Sequence, residues 1–287
     1  MARFGSMKLL VLGGGFTGAA VARLARSRGI AVTATTRSES RAASLHAIGV
    51  TPLVSPRLDA RALAAHADGE TRVLVTMPPD PNGGAEPIAP SLALALGHAA
   101  AIAYVSSTGV YGNASGRVEE GTRVDRDAPR AAARLDAERA WQSVGASIVR
   151  APAIYGPGRG LHLRLAKGEV RALGTGTNAI SRVHVDDLAA ALFALLESRS
   201  RGALYVMGDL EPAPHAEVVQ WICDALGIAP PPNAPTEALD ETLRHDRHAD
   251  SARIRERLGL SLSYPTYREG YAHCIATDRG ALDAALS

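Results

Sequence analysis

Short apolar runs alternate along most of the chain with longer alanine-rich segments studded with charge, and these two rhythms mark strands and covering helices in turn. The runs predict strands over Lys8–Leu12, Ile30–Thr35, Leu53–Ser55, Val73–Thr76, Ala101–Ser106, Ser147–Arg150 and Ala203–Met207. Between them, helices are predicted over Phe16–Arg28, Ser40–Ala47, Arg61–Ala67, Pro90–Ala99, Ala128–Val144 and Asp186–Ser198. Runs such as VLVTM and AIAYVSS are apolar on both faces, as strands sandwiched between helix layers must be. The pattern is that of an α/β chain with a Rossmann-type, doubly wound parallel sheet of about seven strands.

After Gly208 the rhythm changes: helical signals at Ala216–Leu226 and Ser251–Leu258 flank a proline-rich APPPNAP loop, with no further strand of comparable strength. A small, mostly helical C-terminal lobe is expected there. The glycine-containing segment 156–179 is expected to leave the sheet and join it. Residues 7–155 and 180–208 then form the sheet domain, and 156–179 with 209–287 the lobe. Met1–Ser6 precede a second methionine, Met7, and read as a tag or an alternative start.

Composition narrows the partners. The 287 residues carry 31 Lys and Arg against 29 Asp and Glu, a net charge of +2, too balanced for a nucleic-acid or membrane surface. A small molecule is the expected partner. Two cysteines, Cys223 and Cys274, build neither a disulfide framework nor a metal site alone, and no run approaches the roughly 18 apolar residues of a membrane helix. A cytoplasmic location is expected. Aromatic residues are only 4%, so the core must rest on small aliphatic side chains.

GGGFTG follows the first strand, setting Gly13, Gly15 and Gly18 in GxGxxG spacing at the start of a helix, with Phe16 and Thr17 between the last two. The first glycine permits the turn, the second removes a side chain from the path of a pyrophosphate, and the third lets helix and strand approach. The helix N-terminus then faces the anion of a dinucleotide. At the end of the second strand, Thr36, Arg37 and Ser38 stand where an acidic residue would hold the ribose hydroxyls of NAD. A guanidinium there suits a 2′-phosphate, so NADP is expected in preference to NAD; the competing reading is an ordinary surface arginine. Met77 and Pro78 end the fourth strand and either lie against the adenine-ribose part of the cofactor or simply terminate the strand.

GGGFTG, YVSSTGVYG from Tyr104 to Gly112, VRAPAIYGPGR from Val149 to Arg159 and RVHVDDLA from Arg182 to Ala189 together resemble the short-chain dehydrogenase/reductase superfamily, on its extended, epimerase/dehydratase-like side. The resemblance runs from Met7 to about Gly270. It implies a catalytic hydroxyl at Ser107, with Thr108 beside it, and cofactor contacts from Ser106, Pro152 and Ile154. It also implies a substrate cleft lined by Tyr155, Arg182 and His184, and a homodimer built on the Pro90–Ala99 and Ala128–Val144 helices. The family's tyrosine–lysine pair is absent: in PRAAARLDAERA, Arg130 and Arg134 occupy those positions, and arginine is no general base. Tyr111 and Tyr155 are the remaining proton donors to consider.

No metal site is expected. His184, Asp186 and Asp187 fit better as a helix start, with Asp186 or Asp187 capping a helix from Leu188. HDRHAD from His245 to Asp250 reads as a solvated loop, Cys223 as a core residue, and Pro87 and Pro90 as helix-start prolines. Two functions remain open. One is an NADP-dependent oxidoreductase or epimerase-like enzyme acting on a carbonyl or hydroxyl group of a small metabolite or nucleotide sugar. The other is a non-catalytic NADP-binding sensor or scaffold.

Overall fold

A computed structural model describes residues 7–79, 88–170, 178–234 and 245–287. Met1–Ser6, Pro87, residues 171–177 of the excursion and Pro235 of the proline-rich loop lie outside them. The first half of the chain runs β1 (Lys8–Leu12), α1 (Phe16–Ser27), β2 (Ala31–Thr36), α2 (Glu39–Ala47), β3 (Thr51–Val54), α3 (Ala60–Ala64), β4 (Thr71–Val75), α4 (Ile88–Leu96), β5 (Ala101–Ser107), β6 (Gly116–Val118) and α5 (Pro129–Gln142). It continues through β7 (Ser147–Ala151), β8 (Ala153–Tyr155), α6 (Leu161–Ala166), β9 (Ala179–Ile180), β10 (Arg182–His184), α7 (Val185–Glu197) and β11 (Leu204–Val206). The C-terminal part holds β12 (Ala213–Pro214), α8 (His215–Leu226), β13 (Arg247–Ala249), α9 (Ala252–Leu258), α10 (Tyr267–Thr277) and α11 (Arg279–Leu286).

The main sheet is parallel throughout, in the order β3-β2-β1-β4-β5-β7-β11. Its seven strands are the seven read from the sequence, with ends shifted by at most two residues. Alternate residues serve the two faces. Leu9, Val11, Leu74, Ala103 and Val149 pack with Val21 of α1 and Leu192 of α7. Leu10, Leu12, Val73, Val75, Tyr104 and Ile148 pack with Leu92 and Leu96 of α4 and Trp141 of α5. Strand order reverses between β1 and β4, which opens a crevice beyond their carboxyl ends.

Pro152 redirects the chain at the end of β7. It offers no N–H to continue the ladder, and the next three residues form β8, paired in parallel with β10 so that Tyr155 sits opposite His184. α6, α8 and α10 enclose a separate apolar cluster that includes Leu165, Val218, Ile222, Cys223, Tyr267, Tyr271 and Cys274. The scarce aromatic residues are spread over separate clusters; Trp141, Tyr104, Tyr111, Tyr267 and Tyr271 are among the largest fully buried side chains.

The sequence pattern missed a small mixed sheet in the order β12-β9-β13-β6 and the β8–β10 pair. Their strands are two or three residues long, too short to display a period of two. HDRHAD is accordingly not a solvated loop: Arg247–Ala249 form β13, which pairs with β6 and β9. No helix among the described residues is long and apolar enough to cross a membrane.

Candidate functional site at the switch point

The glycine turn is pinned from both sides. The N–H groups of Gly13 and Gly14 donate to the side chain and the carbonyl of Thr35, at 2.9 and 2.7 Å, while the Thr76 hydroxyl donates to the Gly13 carbonyl at 2.6 Å. These two threonines, at the ends of β2 and β4, were not singled out in the sequence. Strand-end hydroxyls flanking a glycine turn are the only sign they offer.

Gly13 has φ +103°, where a side chain is strained, and a Cβ on Gly18 would fall 2.1 Å from the Gly13 carbonyl oxygen. Gly15 is different: among the described residues its Cβ would meet no atom within 4 Å, and its φ is an ordinary −76°. None of those residues requires a glycine there, so the open space suits a ligand. Gly15 is the N-cap of α1, with no side-chain cap and no acidic residue in the first turn to occupy the amides beyond it. Thr17 and Gly18 are buried in that turn. Phe16, Met77, Pro152 and Ile154 are half-buried around the crevice, and Pro78 is exposed.

At the end of β5 the hydroxyls part ways. Ser107 is half-buried and its Oγ accepts from the Gly109 N–H at 3.0 Å, which orients the group and leaves its proton free to donate. Thr108 next to it is buried. Ser106, expected at the cofactor, donates instead to Glu138 at 2.5 Å. Tyr111, considered as a proton donor, is buried; its hydroxyl donates to the Glu119 carbonyl at 2.7 Å and accepts from Arg150 at 3.2 Å. Both hydroxyls are engaged by the buried Glu138–Arg150 ion pair. On α5, Arg130 is exposed and Arg134 donates to the Tyr104 hydroxyl at 3.3 Å.

A cavity of about 220 Å³ lies between β8, β10, α6 and the start of α8. Tyr155 and Arg182 line it; His184 does not. The Tyr155 hydroxyl points at Gly270, where even a Cβ would overlap it, and has no hydrogen-bond partner. Burial raises its pKa far above that of an ordinary phenol, so the hydroxyl keeps its proton. Arg182 is buried and donates to the carbonyls of Ile180 and Ala213, at 2.7 and 3.1 Å. Arg159 stacks its guanidinium 5.3 Å from the centre of the Phe16 ring, joining this cavity to the first residue of α1.

His184 is fully buried against Tyr155 and Tyr264, with Cys274 Sγ 3.8 Å from its Nε2. Burial depresses its pKa to about 4. It, rather than Asp186 or Asp187, caps α7, its Nδ1 accepting the Asp186 N–H at 3.2 Å, and the helix begins at Val185. Asp187 instead accepts from the N–H groups of Ser263 and Tyr264, at 2.7 and 3.0 Å, and so ties α7 to the C-terminal lobe. Ligand atoms of His184, Asp186 and His273 gather within 4.8 Å, but the Nδ1 lone pair already serves the cap and the helix N-terminus disfavours a cation. On the far side of the cavity, Asp278 accepts from the Gly158 N–H at 2.7 Å and meets His162 Nε2 at 2.8 Å, fastening the loop before α6 to the junction of α10 and α11.

A family model described as NAD(P)H-binding matches residues 13–199. A 3-diazoavenalumate denitrifying reductase from Streptomyces sp is 31% identical over 155 residues, 49% of this chain, and the match spans 51% of that relative's own length. A functionally unknown conserved protein from Silicibacter pomeroyi DSS shares the fold with a TM-score of 0.83 at 30% identity, covering 94% of this chain and 98% of that one. The UDP-glucuronic acid 4-epimerase from Bacillus cereus, solved with UDP-glucuronic acid and NAD, has a TM-score of 0.80 at 18% identity, covering 96% and 99%. The architecture is the Rossmann-type fold shared with these solved structures.

These comparisons overturn the expectation of NADP in preference to NAD. The epimerase holds NAD, and so does MoeE5 in its complex with UDP-glucose. The local geometry agrees. Thr36 Oγ1 accepts from the Ser38 N–H at 3.3 Å, while Ser38 caps α2 by accepting from the Arg41 N–H at 3.3 Å and bonds Ser40 at 2.8 Å. The hydroxyls that were to flank a 2′-phosphate are engaged in a turn and a cap, and Arg37 is the exposed surface arginine of the competing reading.

Proposed function

Because the chain belongs to the NAD(P)H-binding family, we propose that it is an NAD-dependent oxidoreductase or epimerase-like enzyme acting on a hydroxyl or carbonyl group of a small metabolite or nucleotide sugar. The observation that carries this reading is the open space over Gly15, at an uncapped helix N-terminus on the switch point of the sheet. The backbone amides of Gly15, Phe16, Thr17 and Gly18 hold the pyrophosphate there, on a turn whose Gly13 amide is held by Thr35. Met77 and Pro78 flank the adenosine half, and Pro152 and Ile154 bound the nicotinamide half. When bound, NAD supplies the acceptor and donor of hydride. Ser107 donates its proton in a hydrogen bond to the reacting oxygen, with Thr108 supporting the turn.

The usual tyrosine–lysine pair is lost. Arg130 and Arg134 keep their protons at any relevant pH, and the contact of Arg134 with Tyr104 supports a structural role. That loss favours the second reading, a dinucleotide-holding sensor or scaffold without turnover. Residues 156–179 and 209–287 form the substrate lobe in this proposal. Two copies associate through α4 and α5, where Leu94 is 81% exposed; light scattering at a single protomer mass would remove the dimer.

The deciding experiment titrates NADH into the protein by fluorescence, then follows absorbance at the nicotinamide band with a panel of aldehydes, ketones and UDP-sugars. Binding followed by loss of absorbance with one class is expected. Binding with neither loss of absorbance nor, for UDP-sugars incubated with NAD, epimerised sugar in the recovered product establishes the sensor instead, and no binding overturns both.

A further inference from the structure

The cavity between β8, β10 and α6 has a lining of one sign. Arg159, Arg164 and Arg182 converge on it, and no carboxylate among the described residues lines it. Its remaining walls are mostly apolar, chiefly Ile154, Leu161 and the ring of Tyr155, with His215 beside them.

The three arginines differ in how far they are already occupied. Arg182 is bound to two carbonyls and lies within electrostatic reach of Asp209, a buried carboxyl whose two oxygens have no hydrogen-bond partner. Among the described residues the Arg159 side chain stacks on Phe16, Arg164 is exposed on α6, and neither guanidinium forms an ion pair. Two unpaired guanidinium groups at the mouth of a part-apolar cavity build a positive potential that an oxyanion relieves, and their planar forks match carboxylate and phosphate oxygens.

We infer that this cavity takes a small substrate carrying one carboxylate or phosphate group, with the oxyanion held by Arg159 and Arg164 and the body lying on the Tyr155 ring. The proposal rests on the enzyme reading above and narrows it: about 220 Å³ falls below the roughly 300–1,000 Å³ of pockets for drug-sized ligands, which disfavours a whole nucleotide sugar. The position of Arg159, over the first residue of α1, sets the oxyanion beside the dinucleotide site and the body toward β8.

Calorimetric titration of the full chain saturated with NADH tests this, with inorganic phosphate, pyruvate and UDP-glucose as separate probes. Saturating NADH keeps the glycine turn from reporting on phosphate. Phosphate or pyruvate is expected to bind, at least about tenfold more weakly in Arg164→Ala and intermediately in Arg164→Lys, with NADH affinity and thermal midpoint unchanged. The preference between the two probes tells phosphate from carboxylate. The inference is overturned by binding of neither small anion, by equal binding in Arg164→Ala, or by binding of UDP-glucose alone. If NADH itself fails to bind, the cofactor reading falls, and the same comparison of wild type with Arg164→Ala on the unliganded protein still decides the cavity.

Discussion

Glu138 and Arg150 form a forked ion pair sealed beneath the end of β5, with Nε to Oε1 at 3.0 Å and Nη2 to Oε2 at 2.7 Å. Both side chains are almost wholly buried, 4% and 6% exposed. Removing one partner strands the other charge, so Glu138→Ala is expected to cost about 3–5 kcal/mol in urea unfolding. The double change Glu138→Leu with Arg150→Met should recover much of that loss. A single variant within about 1 kcal/mol of wild type would show that water reaches the pair.

The two glycines of the turn predict opposite phenotypes. Gly15→Ala adds a methyl where no protein atom stands, so its thermal midpoint should move by less than about 2 °C while NADH affinity falls at least tenfold. Gly18→Ala forces a methyl against the Gly13 carbonyl and should destabilise the fold itself. Unaltered NADH binding in folded Gly15→Ala would remove the pyrophosphate from this turn.

Ser107 and Tyr111 separate chemistry from architecture in the same way. With a substrate in hand, Ser107→Ala is expected to lower kcat by about 10²-fold with little change in stability, as for loss of a single oxyanion donor. Tyr111→Phe leaves the Glu119 carbonyl and Arg150 short of a partner and should cost about 1–3 kcal/mol of stability while sparing kcat. The reverse outcome would return Tyr111 to the active site.

Hydrophobic patterning made the main sheet legible because its central strands, such as β4, β5 and β7, are apolar on both faces and five to seven residues long. Gly13, Gly15 and Gly18 were legible because a turn, a ligand path and a close approach each demand the same residue. Hydroxyl roles were not. Ser106 and Ser107 are adjacent and chemically alike, and only the three-dimensional position of Glu138 assigns one to the network and leaves the other at the crevice. His184 escaped in a similar way, since histidine as an N-cap is set by its burial against Tyr264 rather than by its neighbours in sequence. Two of the cavity's arginines, Arg159 and Arg164, lie close together around the start of α6, but Arg182 stands on β10, and only the fold brings it to them.

Asp209 supplies a pH test. Burial, partly offset by Arg182, pushes its carboxyl up to about 7 from an ordinary 3.8. The native state therefore holds this proton more tightly than the unfolded chain does. The resulting stability is complete below pH 3.8 and is lost as pH rises to about 7. Asp209→Asn cannot ionise, so its stability relative to wild type should climb across that window by roughly 4 kcal/mol at most and level off above it. A difference that stays flat from pH 4 to 8 would contradict a buried, protonated carboxyl.

The tie from Asp278 to Gly158 and His162 spans 120 and 116 positions of sequence. It makes the closing turns of the protein a latch on a loop they never follow in the chain. Arg159 sits inside that latched loop, so cutting the chain before Asp278 would remove no residue that lines the cavity yet would release its mouth. Loss of small-anion binding in such a truncation would report on a lost fastening, at a distance from any group that touches the ligand.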